Sequence, residues 1–145
     1  MDSSGQMELA TFYVGEALYG MNILKVQEIN KLMDSTSVPQ APEYVRGILN
    51  LRGQIVTVLD LKRKLGLEYA EISPLSRNIV VQLRGEYFGF LVDSIGDVVR
   101  VDLDKVEDAP ANIGGVQGDF FDGVFKTEKA LIGILNIEES LKMKT

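Results

Sequence analysis

The chain has 145 residues, of which 46% are hydrophobic and 25% are charged, and its net charge at pH 7 is −6. This composition is typical of a globular protein with a buried core, equivalent to one ordinary domain or two very small ones. The chain has no cysteine and no histidine, which excludes disulfides, catalytic thiols, Ser-His-Asp triads and ordinary zinc sites. Its acidity argues against nucleic acid as the main partner. No apolar run approaches the roughly 18 residues of a membrane span, so we expect no membrane insertion.

The N-terminal part of the sequence predicts strands joined by tight turns. We expect a polar, disordered tail over residues 1–7, then a strand over residues 9–14 and a second strand over residues 17–21. An extended segment follows that contains Glu28, a carboxylate flanked by apolar neighbours. Glu28 is either an exposed strand residue or the partner of a cation, and Arg52 is the candidate cation.

Residues 44–66 predict a hairpin that leads directly into a short helix. Two apolar runs flank Arg52-Gly53, a dipeptide typical of a tight hairpin turn. Asp60 then precedes a short segment with one apolar face that ends in glycine, as an N-cap and a C-terminal stop would require. This stretch holds five basic and one acidic side chain, whereas residues 67–123 hold four basic and eleven acidic ones. Such a charge polarity could orient the protein between two partners.

The same pattern returns near the C-terminus. With a shift of 76 residues, Gly47 falls on Gly123 and Asp60 falls on Asn136, and the upstream segments match at a shift of 69. The recurrence of glycines and helix caps predicts a tandem pair of related units, although any two β-hairpins share part of this pattern. Units of about 65 residues are marginal alone, so we expect the two to share an interface.

Residues 77–83 and 86–95 predict a hairpin with its turn at Arg84-Gly85, and residues 98–103 predict a further strand.

Residues 104–123 form the longest segment without a regular pattern. The glycines within it lack the Lys-Ser or Lys-Thr of a phosphate loop, and nearby aspartates would repel phosphate. The carboxylates Asp93 and Asp97 show no sign of the cleft that acid–base chemistry needs, so a solvated acidic face is the favoured interpretation. An enzyme that uses Asp93, Asp97 or Lys129 stays open as an alternative.

Six short motifs are spread over the chain: Val26-Gln27-Glu28-Ile29, Val45-Arg46-Gly47, Asn50-Leu51-Arg52-Gly53-Gln54-Ile55-Val56, Val58-Leu59-Asp60-Leu61, Phe90-Leu91-Val92-Asp93 and Ile134-Leu135-Asn136-Ile137-Glu138. Together they resemble the CheW family of bacterial chemotaxis coupling proteins, from about Leu9 to Leu141. The resemblance implies a mainly β fold of two small five-stranded SH3-like barrels packed together, with short helices that include one at the C-terminus. Within a single domain over residues 8–145, the first barrel would lie mainly in 15–70 and the second mainly in 77–136, with terminal segments that may cross over.

The resemblance also implies a function. Proteins of this family are non-enzymatic adaptors that bridge the cytoplasmic tip of chemoreceptors and the regulatory domain of the CheA histidine kinase, so we expect no cofactor and a cytoplasmic protein recruited to membrane receptor arrays. Carried over by motif, the residues expected to contact receptor, kinase or both are Val26, Glu28, Arg46, Gly47 and Arg52. Gly47 could instead meet a backbone need for positive φ, and Arg52 could brace the fold through Glu28. A scaffold of a different chemosensory array is the alternative within the family.

Overall fold

The computed structural model describes residues 5–142. Within this range the chain forms twelve β-strands, two short α-helices and three 3-10 turns. The strands are β1 (Gln6–Val14), β2 (Ala17–Asn22), β3 (Val26–Lys31), β4 (Val45–Leu51), β5 (Gln54–Asp60), β6 (Arg77–Leu83), β7 (Glu86–Val92), β8 (Ser94–Asp102), β9 (Asn112–Ile113), β10 (Val116–Gln117), β11 (Phe121–Lys126) and β12 (Leu131–Leu135). The helices are α1 (Leu61–Lys64) and α2 (Ile137–Ser140). No helix in the described range has the length and apolar character that crossing a membrane requires.

Ten of these strands form two five-stranded sheets. Sheet A has the strand order β11-β12-β2-β1-β8, and sheet B has the order β3-β6-β7-β5-β4. Most neighbouring strands are antiparallel, but β12 and β2 are parallel in sheet A, as are β5 and β7 in sheet B. The predicted fold, mainly β with two packed five-stranded units and a short helix near the C-terminus, is confirmed.

The two sheets repeat one another residue by residue. In sheet A, Ile132 pairs with Leu18, and in sheet B, Val56 pairs with Tyr87. The first members of these pairs are related by the 76-residue shift and the second members by the 69-residue shift that the sequence shows. The tandem pattern therefore corresponds to two copies of one strand arrangement.

Each sheet combines strands from both repeats. Sheet B contains β3, β4 and β5 from the first repeat with β6 and β7 from the second, and sheet A contains the remaining strands of each. The chain crosses between the sheets after β2 and again after β7. The sheets therefore do not follow the expected barrel boundaries at residues 15–70 and 77–136. The strands of sheet B lie within residues 26–92, and those of sheet A lie within residues 6–22 and 94–135. A sequence repeat identifies related segments, but strand pairing decides which sheet they join.

The expected disordered tail over residues 1–7 is corrected in part. Residues 1–4 lie outside the described range, so that part of the expectation stays untested. Gln6 and Met7, however, belong to β1 and pair with Asp102 and Val101 of β8. Their polar surroundings in the sequence gave no sign of a strand, because the partner that orders them is almost a hundred residues away.

Each sheet closes on itself through a short backbone bridge beside a glycine. Beyond β3, Thr36 exchanges two hydrogen bonds of 2.8 Å with β4, and beyond β8, Glu107 exchanges two of 2.8 and 2.9 Å with β11. A Cβ on Gly47 would overlap the carbonyl oxygen of Thr36, and a Cβ on Gly123 would lie 2.7 Å from that of Glu107. Glycine at these two positions therefore permits the approach that joins the opposite edges of each sheet.

The hydrophobic core has three parts. The largest cluster combines residues of both sheets, among them Phe12, Tyr19 and Met21 of sheet A with Leu59, Ile79 and Phe90 of sheet B. Two smaller clusters each belong to one sheet: Leu9, Val101, Ile132 and Ile134 in sheet A, and Leu49, Val56, Val58 and Leu91 in sheet B. The expected shared interface between the two units is thus the main core of the molecule.

The segment expected to be irregular, residues 104–123, contains a small hairpin. Strands β9 and β10 pair with each other, and the turn between them contains Gly114 and Gly115 with φ of 55° and 93°. These glycines supply the positive φ of a tight turn. Their place in a hairpin turn agrees with the rejection of a phosphate loop.

Candidate interaction site

Glu28 and Arg52 form an ion pair that links the two edges of sheet B. Glu28 lies on β3, and Arg52 stands at the tip of the β4–β5 hairpin, where φ is 53° at Arg52 and 85° at Gly53. Nη1 of Arg52 donates a hydrogen bond to Oε1 of Glu28, and Nδ2 of Asn30 donates to Oε2 at 2.7 Å. Of the two interpretations that the sequence leaves open for Glu28, the structure shows the pairing with Arg52. The pair connects strands at opposite ends of the sheet order.

The two partners of this ion pair differ in exposure. The Arg52 side chain is 74% exposed, and the Glu28 side chain is 25% exposed. The hydrogen bond from Arg52 is the main cause that holds the pKa of Glu28 below its ordinary value; the bond from Asn30 acts in the same direction, and desolvation opposes both. Because both oxygens of Glu28 are engaged, the feature available to a partner is the guanidinium of Arg52, held in place at a hairpin tip.

Val26 and Gly47 occupy different environments near this pair. Val26 is half-buried beside the core between the sheets, opposite Val81 of β6. Gly47 is buried with φ of 152°, and a Cβ there would overlap the Thr36 carbonyl oxygen. The geometry at Gly47 fits the backbone interpretation, because the residue presents no side chain and little surface to a partner.

Arg46 lies at the other end of β4. It is exposed and lines a groove of about 670 Å³ together with residues 31–35, 37, 72–74 and 76. About 20 Å of strand separates Arg46 from Arg52, given a rise of about 3.3 Å per residue. The structure therefore brings Glu28 and Arg52 together with Val26 nearby, but places Arg46 at a separate surface.

A second groove, of about 440 Å³, lies between the two sheets. Its apolar lining includes Leu83 of β6 on one side and Met7, Ile134 and Ile137 on the other. Lys25, the residue before Val26, also lines it. Sequence reasoning could not locate this groove, because its residues come from many separate elements and share no local pattern.

Sequence reasoning also missed a polar cluster around α1. Arg63 forms an ion pair with Glu43, donates to the carbonyl oxygen of Leu67 at 3.1 Å, and lies 5.0 Å from the ring centroid of Tyr69. The hydrogen bond to Glu43 is the main cause that raises the pKa of Arg63. The cluster ties the segment after α1 to the helix, and this segment carries the half-exposed Ile72.

The residues named for an acidic enzyme site do not converge. Oδ2 of Asp93 accepts a hydrogen bond of 2.5 Å from the backbone N–H of Gly15, Asp97 is exposed, and Lys129 lies in the turn between β11 and β12. Among the described residues, no hydrogen bond or ion pair connects these three side chains. Within residues 5–142, no three His, Cys, Asp or Glu side chains are grouped as a metal site would require.

Comparison with known proteins gives one consistent family. The family model described as a CheW-like domain matches residues 8–144, which is nearly the whole chain. The chain belongs to the CheW family.

Individual CheW proteins are similar to the chain over most of their own length. The chemotaxis protein CheW of Treponema pallidum (strain Nichols) is 31% identical over 143 residues, which are 96% of this chain and 84% of the relative. That of Bacillus subtilis (strain 168) is 32% identical over 132 residues, which are 89% and 83% of the two chains. The crystal structure of the scaffolding protein TtCheW from Thermoanaerobacter tengcongensis is similar with a TM-score of 0.87 and 32% identity, covering 95% of this chain and 89% of that chain. The CheW resemblance seen in the sequence is confirmed, and the protein is a scaffold of chemotaxis signalling.

Proposed function

We propose that the protein couples chemoreceptors to the regulatory domain of a CheA-type histidine kinase, as an adaptor without catalytic activity or cofactor. The observation that carries this proposal is the Glu28–Arg52 pair, which fixes an exposed guanidinium at the tip of a hairpin on a rigid sheet. Family membership supports the chemotaxis role. A preformed charged contact on a rigid scaffold is suited to recognition, because little conformational entropy is lost when a partner binds.

The receptor contact is proposed at the groove between the sheets and the adjoining edge of β3. A helical receptor tip would place apolar side chains against Leu83 and Ile134, the helix-in-groove mode of recognition. Lys25 at the groove, followed by Val26, Glu28 and Arg52 beyond it, would set the register of the helix through charge and shape.

The kinase contact is proposed on the exposed surface of sheet B away from that groove. Two modest contacts on one small protein suit an array, in which several weak interactions together give strong attachment. In this proposal the protein is cytoplasmic and reaches the membrane through receptors, without inserting into the bilayer and without binding nucleic acid.

Charge reversal at Arg52 tests the proposed contact. Arg52→Glu would place a carboxylate beside Glu28, so we expect retention of a receptor-tip fragment to be lost in a pull-down while the circular dichroism spectrum stays native. Arg100→Glu is a matched control, since Arg100 is 69% exposed and also faces a glutamate, Glu8, but lies on sheet A. Loss of the native spectrum in Arg52→Glu would show that Arg52 braces the fold, and unchanged retention would remove Arg52 from the contact.

A double-mutant cycle tests whether Glu28 acts through Arg52. If the two residues bind as a unit, the losses in receptor affinity for Glu28→Ala and Arg52→Ala should be non-additive. Strictly additive losses would remove the pair from the mechanism. Retention of kinase and receptor fragments from another chemosensory array, and not of chemotaxis fragments, would favour the alternative scaffold role.

A further inference from the structure

Arg46 differs from every other arginine of the chain in its contacts. Four of the other five donate hydrogen bonds: Arg52 to Glu28, Arg63 to Glu43, Arg77 to the carbonyl oxygens of Pro74 and Ser76, and Arg84 to Glu138. The fifth, Arg100, forms an ion pair with Glu8 at 3.9 Å. Arg46 is exposed and has no hydrogen bond or ion pair within residues 5–142. An exposed guanidinium with five unused N–H donors is well suited to binding carboxylates in a bidentate manner.

The groove beside Arg46 combines positive charge with apolar surface. Lys31, the exposed last residue of β3, lines it together with Arg46, whereas Asp34 is the one carboxylate that residues 5–142 contribute to its lining. Met33 and Ile72, which are 39% and 50% exposed, supply apolar side chains at the same groove. The groove is therefore locally positive in a protein whose net charge is −6.

Hydrogen bonds hold both walls of this groove in place. On one wall, the N–H of Ser73 donates to Oγ of Ser76 at 2.9 Å, and Nη1 of Arg77 donates to the carbonyl oxygen of Pro74 at 3.0 Å. On the other wall, the lining residues Ser35 and Ser37 flank Thr36, which is fixed by its two backbone hydrogen bonds to β4. A partner would meet a preformed groove, which lowers the entropic cost of binding.

We propose that this groove, lined by Lys31 and Arg46, binds a segment of a protein partner that carries carboxylates beside apolar side chains. The carboxylates would face Arg46 and Lys31, and the apolar side chains would contact Met33 and Ile72. The inference rests on the proposed adaptor function and makes it more specific. The groove lies about 20 Å from Arg52, at the other end of β4, and on the surface of sheet B where the kinase contact is proposed, so its occupant is a segment of the kinase regulatory domain.

The test reverses the charges of Lys31 and Arg46. Affinities of Lys31→Glu/Arg46→Glu for a kinase regulatory domain and for a receptor-tip fragment are measured by calorimetry at low and moderate salt. We expect the affinity for the kinase regulatory domain to fall about tenfold or more, with a weaker salt dependence, and the affinity for the receptor-tip fragment to stay at the wild-type value. Arg52→Glu should give the opposite selectivity.

Two further variants keep the test decisive. Lys129→Glu/Arg100→Glu makes the same change of charge at exposed positions on the side of sheet A, and it should leave both affinities unchanged. If Lys31→Glu/Arg46→Glu fails to fold, Lys31→Gln/Arg46→Gln replaces it, and we then expect a smaller loss of affinity. Unchanged affinities in the groove variants, equal losses for both partners, or an equal effect of the control pair would overturn the inference. If the wild-type protein binds neither fragment, the proposed function itself fails.

Discussion

The charge of Glu28 depends on Arg52. The hydrogen bond from Arg52 is the main cause of the lowered pKa of Glu28. A carboxyl group whose pKa is lower in the folded than in the unfolded protein stabilises the fold above its unfolded pKa, and this stabilisation is lost as the pH falls through the folded pKa. The pair therefore contributes fully at neutral pH. Its contribution begins to decline as the pH falls below the ordinary value of 4.5 and is lost once the pH falls through the lower pKa of the folded protein.

Arg52→Gln is expected to raise the pKa of Glu28 towards that ordinary value, because the charged hydrogen bond is removed. An NMR titration of the Glu28 carboxyl carbon measures this directly. Arg100→Gln should leave the titration unchanged, since Arg100 faces Glu8. A Glu28 titration that does not respond to the loss of Arg52 would contradict the ion pair in solution.

Gly47 is expected to be required for folding. In Gly47→Ala the new Cβ would overlap the Thr36 carbonyl oxygen, and φ of 152° is unfavourable for alanine, so we expect a loss of about 2 kcal/mol or more in the free energy of unfolding. Urea denaturation measures this loss. Gly5→Ala is the control, because a Cβ at Gly5 meets nothing within 4 Å. Wild-type stability of Gly47→Ala together with lost partner binding would instead make Gly47 a contact residue.

At the scale of elements, the two repeats begin their short helices with the same kind of N-cap, but the two capping side chains differ in their other hydrogen bonds. Oδ1 of Asp60 accepts from the N–H of Arg63 at 3.1 Å, and Oδ2 accepts from the N–H of Ala70 at 2.8 Å. Oδ1 of Asn136 accepts from the N–H of Glu139 at 2.8 Å, and its Nδ2 donates to the exposed Asp122 side chain at 2.8 Å, a bond that water can replace. Asp60 is 1% exposed, so it caps α1 and also satisfies a backbone group of the following segment.

Asp60→Ala is therefore expected to destabilise the protein more than Asn136→Ala. Loss of an N-cap costs about 1 kcal/mol, and the second hydrogen bond that Asp60 accepts adds about 1–3 kcal/mol when its donor is left unpaired. Chemical denaturation of the two variants gives the comparison. Equal losses would show that the bond to Ala70 contributes little.

The sequence predicted those elements whose signal is local. The turns at Arg52-Gly53 and Arg84-Gly85 were predictable, because each needs two residues with positive φ and ends in glycine. The break between β7 and β8 was placed wrongly, with strands expected over residues 86–95 and 98–103. The chain in fact breaks at Asp93, whose N–H donates to the carbonyl oxygen of Tyr13 at 3.0 Å, and a contact so distant in sequence leaves no local pattern.

The candidate site, like the strands and turns, was predictable only where its signal is local. An isolated cation at a hairpin tip and a carboxylate among apolar strand residues suggested the Glu28–Arg52 pair, but the sequence left an exposed, unpaired Glu28 as an equal alternative. The separation of Arg46 from this pair could not be predicted from the sequence, because it depends on the length and direction of β4. Lys31 was missed as well, since its proximity to the Arg46 groove arises only when the edges of sheet B meet.

At the scale of the whole molecule, the repeats depend on each other for folding. Residues 6–64 supply strands to both sheets, and so do residues 77–140. Because the largest core cluster also combines both sheets, neither repeat can complete a sheet or bury its apolar face alone.

The protein is therefore expected to unfold in a single transition. Differential scanning calorimetry should give a calorimetric enthalpy equal to the van't Hoff enthalpy. A fragment of residues 1–66, which holds β1 to β5 but completes neither sheet, should show no native circular dichroism spectrum. Two resolved transitions, or a folded fragment, would contradict the interdependence of the repeats.

The exchange of strands between sheets also gives the adaptor its rigidity. The two ends of β4, with Arg46 at one end and Arg52 at the other, belong to one sheet whose edges are joined by the Thr36 bridge and the Glu28–Arg52 pair. Two surfaces fixed on one rigid sheet can hold two partners in a defined relative position, which a flexible linker could not do.

The most direct measurement is a bridging pull-down, in which an immobilised receptor-tip fragment is mixed with a kinase regulatory domain, with or without the full-length protein. The account predicts that the kinase domain is retained only when the protein is present, and that Arg52→Glu and Lys31→Glu/Arg46→Glu each abolish this retention at a different contact. Retention of the kinase domain to the same extent without the protein, or failure of the wild-type protein to retain it, would contradict the account.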